Sequence, residues 1–100
     1  MYNKDTANLT KHIDTLGVTY IEGKVIILAI IILTKGTVGN VAKLYNSNVA
    51  LGENSQLFLG SLDTVNNSGS QKMGFPVSNG FLVKTIGGAS ADLLVVYREY

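Results

Sequence analysis

Residues 24–35 read Lys-Val-Ile-Ile-Leu-Ala-Ile-Ile-Ile-Leu-Thr-Lys, and the nine positions from Val25 to Leu33 are all apolar, five of them isoleucine. As a helix this apolar run would rise only ~13 Å, less than half the hydrocarbon core of a bilayer, so it is too short to span a membrane. Its β-branched content points to a strand. A strand with one face in water alternates apolar and polar residues. Here strict alternation sends Val25, Ile27, Ala29, Ile31 and Leu33 to one face and Ile26, Leu28, Ile30 and Ile32 to the other. The first set is assigned to the domain's own core. The second needs a cover from outside, and for a chain of 100 residues a copy of the same subunit is a ready source.

A chain of this length makes one domain and buries roughly 60–70% of the surface its unfolded form exposes. It has no cysteine, so the fold rests on packing without disulfides or thiolate metal sites. The amino terminus, Met-Tyr-Asn-Lys-Asp-Thr, lacks the apolar stretch of a secretory signal, so synthesis in a cytoplasm is expected. Eight basic and seven acidic side chains nearly cancel, and no short window concentrates lysine or arginine. A phosphate-neutralising surface is therefore missing, and neither nucleic acid nor membrane is expected as a partner. Charged residues are 15% of the chain, below the ~25% usual for soluble domains, which suits a subunit partly covered by neighbours.

Gly, Asn and Ser recur about every ten residues between short apolar runs, the spacing of an all-β sandwich. Strands are expected over 18–21, 24–34, 38–45, 56–62, 71–77, 81–86 and 91–97, giving an antiparallel β-sandwich of about seven strands over residues 18–100. Residues 1–17 read as an N-terminal arm, a candidate anchor in which Leu9, Ile13 and Leu16 supply a short apolar stripe. Ser78-Asn79-Gly80 and Gly87-Gly88 tolerate the positive φ of tight turns, and Pro76 belongs at a strand end or sheet edge. In the last strand Ala91, Leu93, Val95 and Tyr97 form the cleaner core face. Leu94 and Val96 then join Ile26, Leu28, Ile30 and Ile32 as the expected oligomer interface. Ala42 and Leu44 should point inward, leaving Val41, Lys43 and Tyr45 outside. Phe81 and Val83 should enter the core while Lys84 faces water.

Catalytic chemistry is sparse. The one histidine, His12, has no cluster of carboxylates beside it for metal ligation, and no serine sits in a Gly-x-Ser-x-Gly elbow. The carboxylates at 5, 14, 22, 53, 63, 92 and 99 are scattered. Gly36-Thr-Val-Gly39 lacks the lysine and following helix of a phosphate loop and reads as a turn. Asp63 to Ser70 carries oxygen donors without the spaced ladder of a calcium loop. No catalytic, metal or cofactor site is assigned, and a non-enzyme is expected.

Val41-Ala-Lys-Leu-Tyr-Asn46, Pro76-Val-Ser-Asn-Gly-Phe-Leu-Val-Lys84 and Ala91-Asp-Leu-Leu-Val-Val-Tyr97 together resemble the small β-sandwich structural proteins of tailed bacteriophage virions. Such proteins have a strand ending in Leu-Tyr-Asp/Asn before a variable loop, then an Asn-Gly-Leu-type strand, a Gly turn and a Val-Val-Tyr strand. The isoleucine run departs from that pattern, in which one apolar face is more usual. The resemblance implies a jelly-roll sandwich that decorates or cements a capsid, made in the host cytoplasm and located in the virion. It also implies self-association, with a trimer preferred, and a major capsid or other virion protein as partner. The competing expectation is a host-glycan-binding module of a fibre or tail tip, using Tyr45 and the loops 46–55 and 64–70.

Overall fold

The structure, a computed structural model, describes residues 8–47, 58–78 and 80–99. Among these the chain forms eight strands and no helix. The strands are β1 (Leu9–Ile13), β2 (Gly17–Ile21), β3 (Val25–Thr34), β4 (Val41–Tyr45), β5 (Phe58–Asp63), β6 (Gly69–Val77), β7 (Phe81–Ile86) and β8 (Asp92–Glu99). Pairing is nested: β4 with β5, β3 with β6, β2 with β7 and β1 with β8, all antiparallel. Two further antiparallel pairs, β3 with β8 and β4 with β7, close the arrangement into two four-stranded sheets, β1-β8-β3-β6 and β2-β7-β4-β5.

The inner faces of the two sheets meet in one core. Ile27, Ile30, Phe81, Leu93 and Val95 are fully enclosed there, alongside Val25, Ala42, Leu44, Val77 and Val83. Each large side chain so buried stabilises the fold by about 1.5–3 kcal/mol relative to exposure. The inward assignments of Ala42, Leu44, Phe81, Val83, Leu93 and Val95 agree with this core, and Pro76 lies near the end of the edge strand β6.

Three features differ from the sequence reading. The strand count is eight rather than seven, because Leu9–Ile13 pairs along β8 within the segment read as an arm. Ile13 enters the core at 3% exposure, so it is held by the sandwich and is not free to anchor anything. Replacing Ile13 with alanine should therefore destabilise the domain by about 2–4 kcal/mol in a urea titration, as emptied core sites do. The strand expected over 38–45 begins only at Val41: Val38 projects from a turn at 87% exposure.

The third difference is in β3. Its register shifts between Ile27 and Ala29 against both neighbours, a β-bulge that adds a residue to β3 opposite β8. One extra residue reverses which face each later side chain takes. Val25 and Ile27 point inward as expected. Beyond the bulge Ile30 and Ile32 also point inward, at 0% and 3% exposure, while Ala29 and Ile31 turn outward. Ile30 and Ile32, expected at an oligomer interface, thus belong to the core.

The connections 35–40, 64–68 and 87–91, each crossing between the sheets, meet at one end around Asn40, which is completely buried. Its Nδ2 donates to the carbonyls of Ile86 (3.3 Å) and Gly87 (2.9 Å). Its Oδ1 accepts from the Thr64 hydroxyl (2.5 Å) and the Ala91 backbone N–H (3.3 Å). Gly87, at φ 83°, lets the turn after β7 approach Gly39 so closely that a Cβ would collide with the Gly39 carbonyl.

Candidate assembly surface

The outward faces of the two sheets differ in chemistry. On the β2-β7-β4-β5 sheet, Lys43 and Lys84 are direct cross-strand partners on the two central strands, flanked by Val18 and Ser61. The two lysines make that row polar, while the next row of the same face, Tyr20–Leu82–Tyr45–Phe58, is apolar, with Leu82 and Tyr45 buried. Tyr45 is the aromatic nominated for sugar stacking, but it packs edge-on against Phe58 at 5.4 Å between centroids and is buried. Of its two loops, residues 48–55 lie outside the described residues.

The β1-β8-β3-β6 sheet carries an aliphatic stripe along its middle. Its central strands present Ile26, Ala29 and Ile31 on β3 and Leu94 and Val96 on β8, all half-buried by their neighbours, with Leu28 half-buried at the bulge. Leu33 follows at 53% exposure. The two middle rows across the sheet are Lys72–Ala29–Val96–Thr10 and Ser70–Ile31–Leu94–His12, and in these rows polar residues lie only on the edge strands β6 and β1. At one end of β1 the His12 imidazole meets the Asp92 carboxylate. An aliphatic stripe between polar margins is the composition of an interface centre and rim.

The structure brings together Ile26, Leu28, Leu94 and Val96 of the expected interface and replaces Ile30 and Ile32 with Ala29 and Ile31. The expected anchor residues separate: Ile13 is in the core, while Leu9 and Leu16 stay outside at 37% and 51% exposure.

Asp63 lies at the far end of β5. The Asn66 side-chain amide (2.7 Å) and then the backbone N–H groups of Val65 (2.9 Å) and Asn66 (3.1 Å) hold its carboxyl below its ordinary value. Both carboxylate oxygens accept from this loop, whose residues Asp63, Val65 and Asn66 line a depression of about 310 Å³ with Val38, Asn40 and Val41. No group of three His, Asp or Glu side chains placed to hold a metal occurs among the described residues. Because the folded state binds the Asp63 proton less readily than the unfolded chain, its contribution is present above the ordinary carboxylate range and is lost as pH falls through the lowered value. Asp63→Ala should therefore flatten the acid limb of a Tm-against-pH curve, where pH falls below the ordinary carboxylate range, while changing little of its shape at neutral pH.

No protein-family model matches this sequence, and no curated protein matches it either. Among the described residues no helix is long and apolar enough to cross a membrane.

Proposed function

We propose that this chain is a noncatalytic structural subunit of a phage virion, decorating or cementing the capsid, and that it works by packing its β1-β8-β3-β6 face against another subunit. The observation that carries this reading is the aliphatic stripe of Ile26, Ala29, Ile31, Leu94 and Val96 on the two central strands, bounded by the polar residues Lys72, Ser70, Thr10 and His12 of the edge strands. Two further lines support it. The nested pairing 1-8, 2-7, 3-6, 4-5, rolled into the orders 1-8-3-6 and 2-7-4-5, supports the jelly-roll reading, an architecture that recurs in viral capsid and lectin domains. The three segments of sequence resembling phage sandwich proteins fall in β4, in β6 with β7, and in β8. Fold analogy adds weight without assigning the role.

The partners in this reading are copies of the chain itself, with a trimer as the family-like arrangement, and a capsid or other virion protein. Apolar burial at ~25 cal/mol per Å² would join subunits, and repeated weak attachment to a lattice would give high avidity. Of the expected anchor residues, Leu9 and Leu16 remain exposed for that attachment. Cosedimentation of the purified protein with undecorated capsids tests the reading: saturable binding at a fixed stoichiometry is expected. Binding on a glycan array with no capsid binding would replace it with the host-glycan module.

A further inference from the structure

The outward row of β8 reads Asp92, Leu94, Val96, Arg98: an acid at one end, a base at the other and two aliphatic residues between. Asp92 is opposite Thr34 on β3 and Arg98 is opposite Ile26, so the two charges mark opposite ends of the apolar stripe. Arg98 makes no ion pair among the described residues, while Asp92 keeps part of its carboxylate exposed beside His12. A face with one charge of each sign at its two ends is self-complementary when inverted end to end.

Resting on the reading that this face is covered by another copy, we infer that two copies stack face to face about a two-fold axis lying in the interface and across the strands. That operation sets Arg98 over the partner's Asp92 at both ends. It sets Val96 over the partner's Leu94, and Ile31 over the partner's Ala29, so a large side chain meets a small one. Lys72 comes over the partner's Ser70 rather than over a second lysine. The other in-plane axis, along the strands, gathers both Arg98 side chains at one end of the interface and both Asp92 side chains at the other, which like-charge repulsion disfavours. Four strands at ~4.8 Å spacing over ~26 Å give about 500 Å² of face per copy, or about 1,000 Å² for the pair, which reaches the lower bound of a specific interface. A flat face that pairs with itself closes at two copies, whereas a trimer needs two different complementary surfaces. The basic unit is therefore a dimer, not the trimer that the family resemblance implies.

Charge exchange tests the register. The full-length protein should sediment as a dimer at micromolar concentration. Arg98→Glu and Asp92→Lys should each weaken dimerisation at least about tenfold, because each homodimer then opposes like charges at both ends. An equimolar mixture of the two variants should recover dimer. In the mixed pair the introduced acid faces the introduced base at one end, and the native Arg98 of one copy faces the native Asp92 of the other at the opposite end. If circular dichroism shows either reversal to be unfolded, Arg98→Gln and Asp92→Asn replace them, each expected to weaken dimerisation at least about threefold. A wild-type trimer, or variants that dimerise as tightly as wild type, would overturn the two-fold pairing while leaving the structural-subunit reading in place. A monomeric wild type would overturn both.

Discussion

Replacing Asn40 with leucine is expected to remove at least about 4 kcal/mol of stability, the largest loss expected from removing a single polar side chain in this domain. The side chain has both ends committed: the amide nitrogen to the Ile86 and Gly87 carbonyls, the amide oxygen to Thr64 and the Ala91 N–H. Leucine fills a similar volume but offers none of these bonds, and each buried group left without a partner costs about 1–3 kcal/mol. The three connections that cross between the sheets at that end would lose their common fastening. For a domain of this size the loss corresponds to a fall in Tm on the order of 20 °C, readable by differential scanning calorimetry. A fall under about 5 °C would show that water replaces the Asn40 bonds and that the site is not sealed. Thr64→Val, which removes one donor to the same hub, should fall between wild type and Asn40→Leu.

The second large effect separates two adjacent isoleucines. Ile30→Lys places a charge in the core, where no partner is available, and should leave the chain unfolded or nearly so, a cost of several kcal/mol. Ile31→Lys places the same charge on the outer face of the sheet and should change the unfolding free energy by no more than about 1 kcal/mol while separating subunits. Strict alternation from Val25 reverses these outcomes, so the pair of variants measures the bulge between Ile27 and Ala29 directly. Urea titration of both, with circular dichroism for the fold, checks it.

That bulge explains why Ala29 and Ile31 of the candidate surface are hidden from sequence reasoning. From Val25 to Leu33 every residue is apolar, so nothing in the pattern marks where the phase breaks. In β8, where Asp92 and Arg98 punctuate the outer row, alternation places Leu93 and Val95 inside and Leu94 and Val96 outside, as the structure has them. The turn at Gly87-Gly88 is legible from its residues, but its collision-free approach to Gly39 depends on two loops separated by nearly half the chain. β1 is hard to read for a related reason. Leu-Thr-Lys-His-Ile on an edge strand buries only Ile13, and so few apolar residues read equally well as a loose arm. Asn40 is one of nine asparagines and resembles an ordinary turn residue until three crossovers converge on it. Local chemistry and periodicity carry the element types; bulges and long-range loop contacts need the folded chain.

In the proposed assembly the outer face of the β1-β8-β3-β6 sheet is covered by another subunit. Light scattering coupled to size exclusion, on the full-length wild type and Ile31→Lys at micromolar concentration, distinguishes a covered face from a free one. A discrete wild-type oligomer is expected, together with an Ile31→Lys protein that is folded and monomeric. A monodisperse wild-type monomer, or an Ile31→Lys protein that assembles like wild type, would contradict that assembly.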